Sequence, residues 1–259
     1  MMDRKKEIRK RFDRAASTYD GYADVQQETA LELSRLLGQG HHSQAAILEL
    51  GCGTGGFTKV LQQVFPRGLV SCLDFSEAML AEAKENVHTE FTTFRCVDCE
   101  EYLAVTQNKY DYICSNATFQ WFQDPRLVLQ NIHHALNAHG LFVASVFGPD
   151  CLLELGEGLQ AVMGSEYRLP SPHFLGKKQL QTLCHDFGRV EVHEQIYSRS
   201  YETIYELLRA IKYTGTGGYH ALVPRFNKAN LQALADWFMG REGFKVQYQV
   251  FFLKAVKER

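Results

Sequence analysis

The sequence has no apolar run that approaches the roughly 20 residues a helix needs to cross a bilayer. Its longest runs, such as Leu141 to Phe147, have the length of buried strands. The charged segment Met1 to Arg14 contains no apolar core of a signal peptide, so we expect a cytoplasmic protein that binds no membrane. A basic surplus is also missing, since 28 Lys and Arg residues face 30 Asp and Glu residues. That balance argues against a general nucleic-acid-binding protein.

The sequence also has few residues arranged to hold a metal. Its seven cysteines are an odd number, and several lie in apolar strand patterns, which favours reduced thiols buried as small hydrophobic side chains. Cys96 and Cys99 form a single C-x-x-C motif, with no second Cys or His pair at the spacing of a zinc site. The adjacent His pairs at 41–42 and 133–134 do not face one ligand, because neighbours on a helix point apart. We therefore predict no metal.

What is present is a regular alternation of strand and helix patterns between residues 45 and 147. The chain of 259 residues, 45% hydrophobic and 22% charged, is long enough for one large α/β domain. Nearly continuous apolar runs predict strands over 46–50, 69–73, 92–97, 110–114 and 141–147. Amphipathic patterns predict helices over 58–65, 77–86 and 126–136. Such an alternation is typical of a doubly wound parallel sheet covered on both faces.

The flanking segments extend this core, and we predict a single domain over 1–259. Helical spacing over 4–38 predicts an N-terminal helical cover formed by residues 1–40. Residues 150–175 contain two prolines and little strand character, so they are interpreted as an excursion from the core. The remaining predictions are helices over 177–187, 205–213 and 229–240 and strands over 190–201 and 244–256. The segment 202–240 is an insertion between the last two strands and is predicted to form a helical lid.

The strongest local motif is a glycine-rich loop at residues 49–55, with the sequence ELGCGTG. It follows a predicted strand and opens a helix, where G-x-G-x-G lets the backbone turn sharply and approach a ligand. Glu49 would repel a pyrophosphate but would attract an ammonium or a sulfonium. Asp74 ends the next strand, where a carboxylate can accept hydrogen bonds from ribose hydroxyls. Asp98 ends the third strand, where it can accept from an exocyclic adenine amine.

These motifs, in this order, make residues 45–147 resemble the class I S-adenosylmethionine-dependent methyltransferases. The resemblance implies a Rossmann-like sheet of seven mostly parallel strands whose last strand is antiparallel. It also implies S-adenosyl-L-methionine as cofactor and S-adenosyl-L-homocysteine as product. The residues that it assigns to cofactor binding are Gln26, Glu49, Gly51, Cys52, Gly53, Gly55, Asp74, Phe75, Met79, Asp98, Cys99 and Asn116.

The resemblance gives these residues separate roles. The three glycines of the loop would let the methionine part of the cofactor lie over it, and Glu49 would attract its positive end. Asp74 would hold the ribose, and Phe75 and Met79 would flank the adenine. Asp98 and the backbone of Cys99 would contact the adenine edge, with Asn116 beneath the methionine moiety.

Three segments outside the glycine loop narrow the resemblance. They are residues 11–26, with Arg-Phe-Asp-Arg-Ala-Ala and Tyr-Asp elements; residues 115–121, with the sequence SNATFQW; and residues 207–217, which end in TGTG. Together they resemble the malonyl-[acyl-carrier protein] O-methyltransferases of biotin synthesis. That family methylates the free carboxylate of a malonyl thioester on acyl carrier protein, an acidic protein. The carboxylate is already ionised at neutral pH and attacks the methyl directly, so we assign no catalytic base.

The acceptor site is predicted from residue chemistry. Tyr19, Gln120 and Trp121 are candidates for the wall of the malonyl pocket. Arg199, just before the insertion, is hypothesised to bind the malonyl carboxylate in a bidentate contact. Cations near the mouth would meet the acidic carrier protein, and the candidates are Arg209 and Lys212 on the predicted lid helix and the pair at 177–178.

Several alternatives stay open at this stage. A methyltransferase for a small phenol, quinone or amine would share the cofactor half, and His220 could then remove the proton that such acceptors lose. A nicotinamide-dependent enzyme would give Asp98 and Asn116 no role. A non-catalytic cofactor-binding module is disfavoured, because it would have little reason to keep Glu49 and Asp74 in addition to these two residues. A nucleic-acid methyltransferase is disfavoured by the charge balance and because residues 115–118 lack an Asn-Pro-Pro-Tyr-type segment.

Overall fold

A computed structural model gives the fold of the chain. It describes residues 4–38, 44–165, 169, 171–214 and 226–258. The pair at 41–42, the glycines at 215, 217 and 218, and His220 therefore lie outside the described residues. No helix in the described ranges has both the length and the apolar character that crossing a membrane requires.

Seven strands form one sheet, as the sequence predicts. The strands are β1 (Ala46–Leu50), β2 (Leu69–Asp74), β3 (Thr92–Cys96), β4 (Tyr110–Asn116), β5 (Leu136–Phe147), β6 (Arg189–Tyr201) and β7 (Phe244–Val256). Their spatial order is β3-β2-β1-β4-β5-β7-β6. The last strand, β7, runs antiparallel to both of its neighbours, and β1 to β5 pair in parallel. The predicted fold class is confirmed.

Ten α-helices are described, and they cover both faces of the sheet. They are α1 (Arg4–Ala15), α2 (Asp24–Leu37), α3 (Gly56–Val64), α4 (Glu77–Asn86), α5 (Cys99–Val105), α6 (Pro125–Ala135), α7 (Leu153–Met163), α8 (Lys177–Leu183), α9 (Ile204–Tyr213) and α10 (Lys228–Met239). Because successive strand residues point to opposite faces, Ile47 and Leu48 enter two different cores. One core packs under α2, α3, α7, α9 and α10, and the other under α5, α6 and α8.

Short polar side chains fix where the helices begin near the sheet edge. Ser76 Oγ accepts a hydrogen bond from the Met79 amide and so starts α4. Asp98 accepts from the amide of Glu100 at the start of α5. Each cap follows directly on a strand, so the turn from strand to helix is short and places its side chains at one edge of the sheet.

The segment 150–175, interpreted as an excursion, contains the helix α7, which the sequence analysis missed. Leu155 and Leu159 are buried in the core, and the helix packs against α10 and β7. Gly158 permits this contact, because a Cβ there would lie 2.9 Å from the Leu234 side chain. Glycines inside the helix weaken its sequence signal, and tertiary packing compensates for their low helix propensity.

Two further boundaries differ from the prediction by more than two residues. The strand β5 begins at Leu136 rather than at Leu141, and Leu136 pairs with Tyr110 across a register shift in β4. The helix α8 ends at Leu183 instead of continuing to residue 187. The described parts of the 202–240 segment are residues 202–214, which include α9, and residues 226–240, which include α10. Its function as a lid stays a prediction.

Candidate active site

A cleft of about 1010 Å³ opens at the sheet edge where β1, β2 and β4 end. Twelve residues were assigned to cofactor binding from the sequence, and the structure brings eleven of them together in the lining of this cleft: Gln26, Glu49, Gly51, Cys52, Gly53, Asp74, Phe75, Met79, Asp98, Cys99 and Asn116. Gly55 is not part of the lining. It precedes α3 with a positive φ of 87° and so supports the turn into that helix.

The glycine loop is held against the end of β2 by its backbone. The amides of Gly51 and Cys52 donate to the Leu73 carbonyl at 2.8 and 3.0 Å. Gly51 has a φ of 72°, and a Cβ added there would lie 2.3 Å from Thr118 Oγ1. Only glycine combines this left-handed backbone with this close approach of the segment after β4.

Glu49 is a buried carboxyl at the end of β1, with 1% of its surface exposed. Thr58 Oγ1 donates to its Oε2 at 2.6 Å and Cys72 Sγ lies 3.5 Å from the same oxygen. Burial raises the pKa of Glu49 to about 7, although these two hydrogen bonds lower it. No cationic side chain in the described ranges forms a salt bridge with it. The ionised carboxylate therefore favours a cation in the cleft.

Asp74 is a second buried carboxyl, at the end of β2. The Gly53 amide donates to Oδ2 and the Ser76 amide to Oδ1, both at 2.9 Å. Burial raises the pKa of Asp74 to about 6, while these backbone donors lower it. The two amides fix the carboxylate beside the loop, and its remaining lone pairs can accept hydrogen bonds from a diol.

Asp98 contacts a residue that the sequence analysis did not single out. Lys5 Nζ, from α1, lies 2.5 Å from both Asp98 Oδ2 and Glu100 Oε2. Burial lowers the pKa of Lys5, but the hydrogen bonds to Asp98 and Glu100 outweigh that effect and raise it. The Lys5 ammonium therefore links α1 to the start of α5, at the predicted adenine end of the cleft. The only sequence signal was the helical spacing of the buried Ile8 in the same helix.

The side chain of Asn116 is hydrogen-bonded to other parts of the protein. Its Oδ1 accepts from Thr29 Oγ1 at 2.8 Å and from Ser145 Oγ at 2.6 Å, and its Nδ2 donates to the Gln26 carbonyl at 2.9 Å. These bonds join α2 to β4 and β5 under the cleft. Ala117 follows in a left-handed conformation, with a φ of 52°, and turns the chain toward Trp121. Asn116 is therefore a positioning residue in this arrangement.

Aromatic rings from α1 and its neighbours cover the cleft. The Phe12 ring centroid lies 6.4 Å from that of Phe75, 6.5 Å from that of Tyr19 and 6.2 Å from that of Trp121. Tyr19 lines the cleft, and burial together with the carboxylates of Asp20 and Asp74 raises the pKa of its hydroxyl. The Tyr19 hydroxyl consequently stays protonated at neutral pH and is available as a donor.

A smaller chamber of about 440 Å³ adjoins the cleft, and Gln26 and Trp121 line both spaces. Its lining consists of Gln26, Trp121, Phe147, Cys151, Leu152, Leu169, Ser171, Phe174, Ile211 and Tyr248. None of these described lining residues is charged at neutral pH. Burial and the neighbouring Tyr201 raise the pKa of Tyr248, so its hydroxyl stays protonated. The Trp121 indole Nε1 is buried and has no hydrogen-bond partner among the described residues. This donor is free to bond a water molecule or an acceptor atom of a ligand, and Gln120 Oε1 is a second buried polar atom without a partner among the described residues.

The other predicted substrate residues lie outside the linings of both spaces. Gln120 is buried next to Trp121, where its Nε2 donates to the Ala117 carbonyl at 2.7 Å. Arg199, on β6, pairs with Glu28 of α2. Lys212 Nζ lies 5.4 Å from the centroid of the Tyr213 ring. Their roles toward substrate stay predictions, which these placements do not support.

Comparison with known sequences agrees with this site. Residues 48–144 match the family described as a methyltransferase domain. A malonyl-[acyl-carrier protein] O-methyltransferase of Bacillus cereus is 34% identical over 263 residues, which covers 97% of each chain. The protein of that name from Bacillus cytotoxicus is 36% identical over 216 residues, covering 80% of this chain and 75% of the other.

Solved structures show the same fold at low sequence identity. Phosphoethanolamine N-methyltransferase 2 of Haemonchus contortus, solved with S-adenosylhomocysteine, superposes with a TM-score of 0.61 at 20% identity, over 97% of this chain and 60% of the other. The YcgJ protein of Bacillus subtilis gives a TM-score of 0.61 at 13% identity, over 90% and 99%. The architecture is thus shared widely, whereas the relatives at 31–36% identity cover 80–97% of the chain and carry one name. The chain belongs to the malonyl-[acyl-carrier protein] O-methyltransferase family.

Proposed function

We propose that this protein transfers the methyl group of S-adenosyl-L-methionine to the free carboxylate of malonyl-acyl carrier protein. The products are the malonyl methyl ester and S-adenosyl-L-homocysteine. The ester masks a charge, so that fatty-acid synthesis enzymes can extend it as a primer for biotin synthesis. Membership of this family is the observation that carries the choice of acceptor, and the chamber beside the cleft, which is uncharged in its described lining, is compatible with it.

The residues of the cleft fit the cofactor. When bound, S-adenosyl-L-methionine supplies an electrophilic methyl group on a sulfonium. Glu49 offers a buried carboxylate without a cationic partner in the described ranges, which suits the positive end of the methionine moiety. Asp74 presents its carboxylate to the ribose, held there by two backbone amides. Gly51 leaves the loop without a side chain where the cofactor would lie.

A carboxylate acceptor matches the uncharged lining of the chamber. It needs no base, because it is ionised at neutral pH and its oxygen attacks the methyl carbon as the carbon–sulfur bond breaks. A strong ion pair to that carboxylate would stabilise the ground state more than the transition state, in which its charge is being neutralised. Neutral donors such as Trp121 Nε1 and the Tyr248 hydroxyl can orient the acceptor without this penalty. The chamber therefore favours alignment and exclusion of water as the sources of rate.

A phenol, quinone or amine acceptor is the second candidate. A phenol or an ammonium must lose a proton, and that step needs a positioned base. No His, Asp or Glu occurs among the ten residues that line the chamber in the described ranges. His220, the base considered for this alternative, lies outside the described residues.

Labelled cofactor distinguishes the acceptors. We expect incubation with methyl-labelled S-adenosyl-L-methionine to label malonyl-acyl carrier protein and to leave acetyl-acyl carrier protein unlabelled. The label should be released by mild base, as expected for an ester. Labelling of a phenolic or quinone acceptor, with none on the malonyl form, would overturn the proposed acceptor while leaving the cofactor assignment intact.

Removing the indole donor of Trp121 should weaken acceptor binding selectively. The Trp121→Phe variant keeps an aromatic ring and loses only the Nε1–H group and part of the indole. We expect kcat/KM for the malonyl substrate to fall about 10-fold to 100-fold, the usual effect of losing a hydrogen bond to a charged group. Cofactor affinity, measured by calorimetry, should change less than about twofold.

The matched control is the other tryptophan of the chain. Trp237 lies on α10, where the guanidinium of Arg241 stacks 3.6 Å from its ring centroid, and it does not line either space. Trp237→Phe should leave kcat/KM unchanged. Equal losses in the two variants would show that Trp121 contributes packing and not a contact with the acceptor.

The seven cysteines support a cytoplasmic location for this reaction. All seven are free thiols, and six of them are buried. Such usage suits a reducing compartment, where acyl carrier protein and the enzymes of fatty-acid synthesis would also be found.

A further inference from the structure

The first helix, α1, concentrates positive charge in a chain that has no surplus of basic residues. Its twelve residues include seven of the 28 Lys and Arg residues and only two of the 30 Asp and Glu residues. Three of these cations stand in the first turn, where the positive end of the helix dipole disfavours them. Ion pairs with Asp98 and Glu100 offset this cost for Lys5, whereas no salt bridge in the described ranges offsets it for Lys6.

The two sides of α1 differ in what they contact. Lys5, Ile8 and Phe12 lie on one side and line the cleft. Asp13 reinforces the contact, because its Oδ1 accepts a hydrogen bond from Ser76 Oγ at 2.6 Å. The helix thus forms one wall of the cleft, and its outer side faces away from the cleft.

The outer side carries an exposed row of cations, which we call the α1 stripe: Lys6, Lys10 and Arg14. Their spacing of four residues places them on one face, opposite the residues that line the cleft. Like charges at this spacing destabilise a helix. Within the described ranges none of the three forms a salt bridge, whereas Lys5, Arg9 and Arg11 do.

We propose that the α1 stripe is the docking surface for the acidic acyl carrier protein. The inference rests on the proposed function, and it names the surface that the protein partner occupies. A thioester on a prosthetic arm has to enter the cleft from its rim while the carrier body stays outside. On a helix that forms one wall of the cleft, the α1 stripe offers three cations that have no salt-bridge partner among the described residues, and this complements an acidic protein.

This surface differs from the cations that the sequence suggested. Arg209 and Lys212 lie on α9, which borders the chamber through Ile211, and Lys212 packs over the Tyr213 ring. The residues at 177–178 begin α8, which packs on the other core. None of them lines the cleft. The α1 stripe consists of three exposed cations without salt-bridge partners in the described part of the chain, on a helix that lines the cleft, and for this reason we favour it as the docking surface.

The test replaces the stripe without disturbing the helix. The triple variant Lys6→Gln, Lys10→Gln, Arg14→Gln removes three charges and keeps good helix formers. Its matched control is Arg67→Gln, Lys109→Gln, Arg189→Gln, which removes three exposed cations at the edge where β2, β4 and β6 begin, opposite the cleft. Both variants are assayed on malonyl-acyl carrier protein and on malonyl-N-acetylcysteamine, a small thioester that keeps the malonyl carboxylate and lacks the acidic protein.

We expect the stripe variant to raise KM for the carrier-bound substrate about tenfold at low ionic strength, with kcat and the small-thioester kinetics unchanged. Added salt should raise the KM of the wild type for the carrier-bound substrate toward the KM of the stripe variant. The control triple should change KM less than twofold. A separate binding measurement with holo-acyl carrier protein, which cannot be methylated, should show the same tenfold loss in the stripe variant.

Several results would overturn the proposal. They are an unchanged KM and Kd for the carrier protein in the stripe variant, an equal loss on both substrates, or an equal loss in the control triple. Tighter binding of a DNA or RNA oligonucleotide than of the carrier protein, lost in the same variant, would assign the stripe to nucleic acid instead. Failure of the proposed function is distinguishable, because it would show as a wild type that labels no malonyl carrier protein whether or not it binds the holo form.

Discussion

Replacing Gly51 by alanine should abolish cofactor binding and destabilise the protein. The new Cβ would lie 2.3 Å from Thr118 Oγ1 and 2.8 Å from Thr118 Cβ, so the glycine loop or the segment after β4 has to move. The backbone at Gly51 is also left-handed, which costs a side chain about 1–2 kcal/mol. Together with overpacking, we expect a loss of about 3 kcal/mol in the free energy of unfolding.

The effect on binding should be larger than the effect on stability. The carboxyl of Asp74 is anchored to this loop through Gly53, so displacement of the loop also moves the ribose-binding group. A displacement of about 1 Å at such a site can cost 100-fold. We therefore expect the cofactor Kd, measured by calorimetry, to rise at least about 100-fold.

Two further variants separate steric overlap from a general glycine effect. Gly156→Ala, inside α7, places its Cβ 3.8 Å from Leu169 at ordinary contact distance, and it should be neutral or slightly stabilising. In a Thr118→Gly background, which removes the overlapping side chain, the added cost of Gly51→Ala should fall to about 1–2 kcal/mol. A full 3 kcal/mol loss in that background would mean that Thr118 is not the obstacle.

The order of the elements could be predicted because it depends on local periodicity. Each strand of the 45–147 region is a short apolar run, and β7 coincides with the predicted 244–256 strand. The helix α4 coincides with its prediction as well, because the Ser76 cap is visible in the sequence. The helix α7 could not be predicted in this way, because Gly156 and Gly158 weaken the helical pattern in the sequence. Packing against α10 compensates for their low helix propensity in the folded protein.

The cofactor half of the site was equally accessible, because strand ends in a parallel sheet converge on one edge. Glu49, Asp74 and Asp98 needed only the strand assignment to be placed together. The acceptor half depends on contacts between distant segments, which periodicity does not encode. Arg199 is an example, since its pairing with Glu28 of α2 follows from the position of β6 at the sheet edge beside that helix. Lys5 reaches Asp98 for a comparable reason, across a sequence separation of 93 residues.

Replacing Glu49 by glutamine should remove cofactor binding while making the free protein more stable. The variant keeps an acceptor for Thr58 Oγ1 and loses the negative charge that faces the cleft. Loss of one partner from a buried charge pair typically costs 2 kcal/mol or more, so we expect the Kd of S-adenosyl-L-methionine to rise about 100-fold. The exposed Glu85, on α4, provides the control, and Glu85→Gln should leave Kd unchanged.

The wild type should show a pH dependence that the variant lacks. Because the pKa of Glu49 in the free protein is about 7, most of the carboxyl is ionised at pH 8 and most is protonated at pH 6. Binding that requires the ionised form should therefore weaken about tenfold as the pH falls from 8 to 6. In the Glu49→Gln variant only the smaller change from Asp74, with a pKa of about 6, should remain.

The stability of the free protein should change in the opposite direction. The folded state holds the Glu49 proton more tightly than the unfolded chain, whose carboxyl has a pKa of 4.5. The stabilisation this provides is complete below pH 4.5 and is lost as the pH rises through 7, at a cost on the order of 3 kcal/mol. Since glutamine resembles the protonated acid, the variant should unfold at a higher temperature than the wild type at pH 8, and the difference should vanish near pH 4.5. A variant that is less stable at pH 8 would mean that Glu49 is held for the fold, whereas a more stable variant that no longer binds would mean that the buried charge is kept for the cofactor.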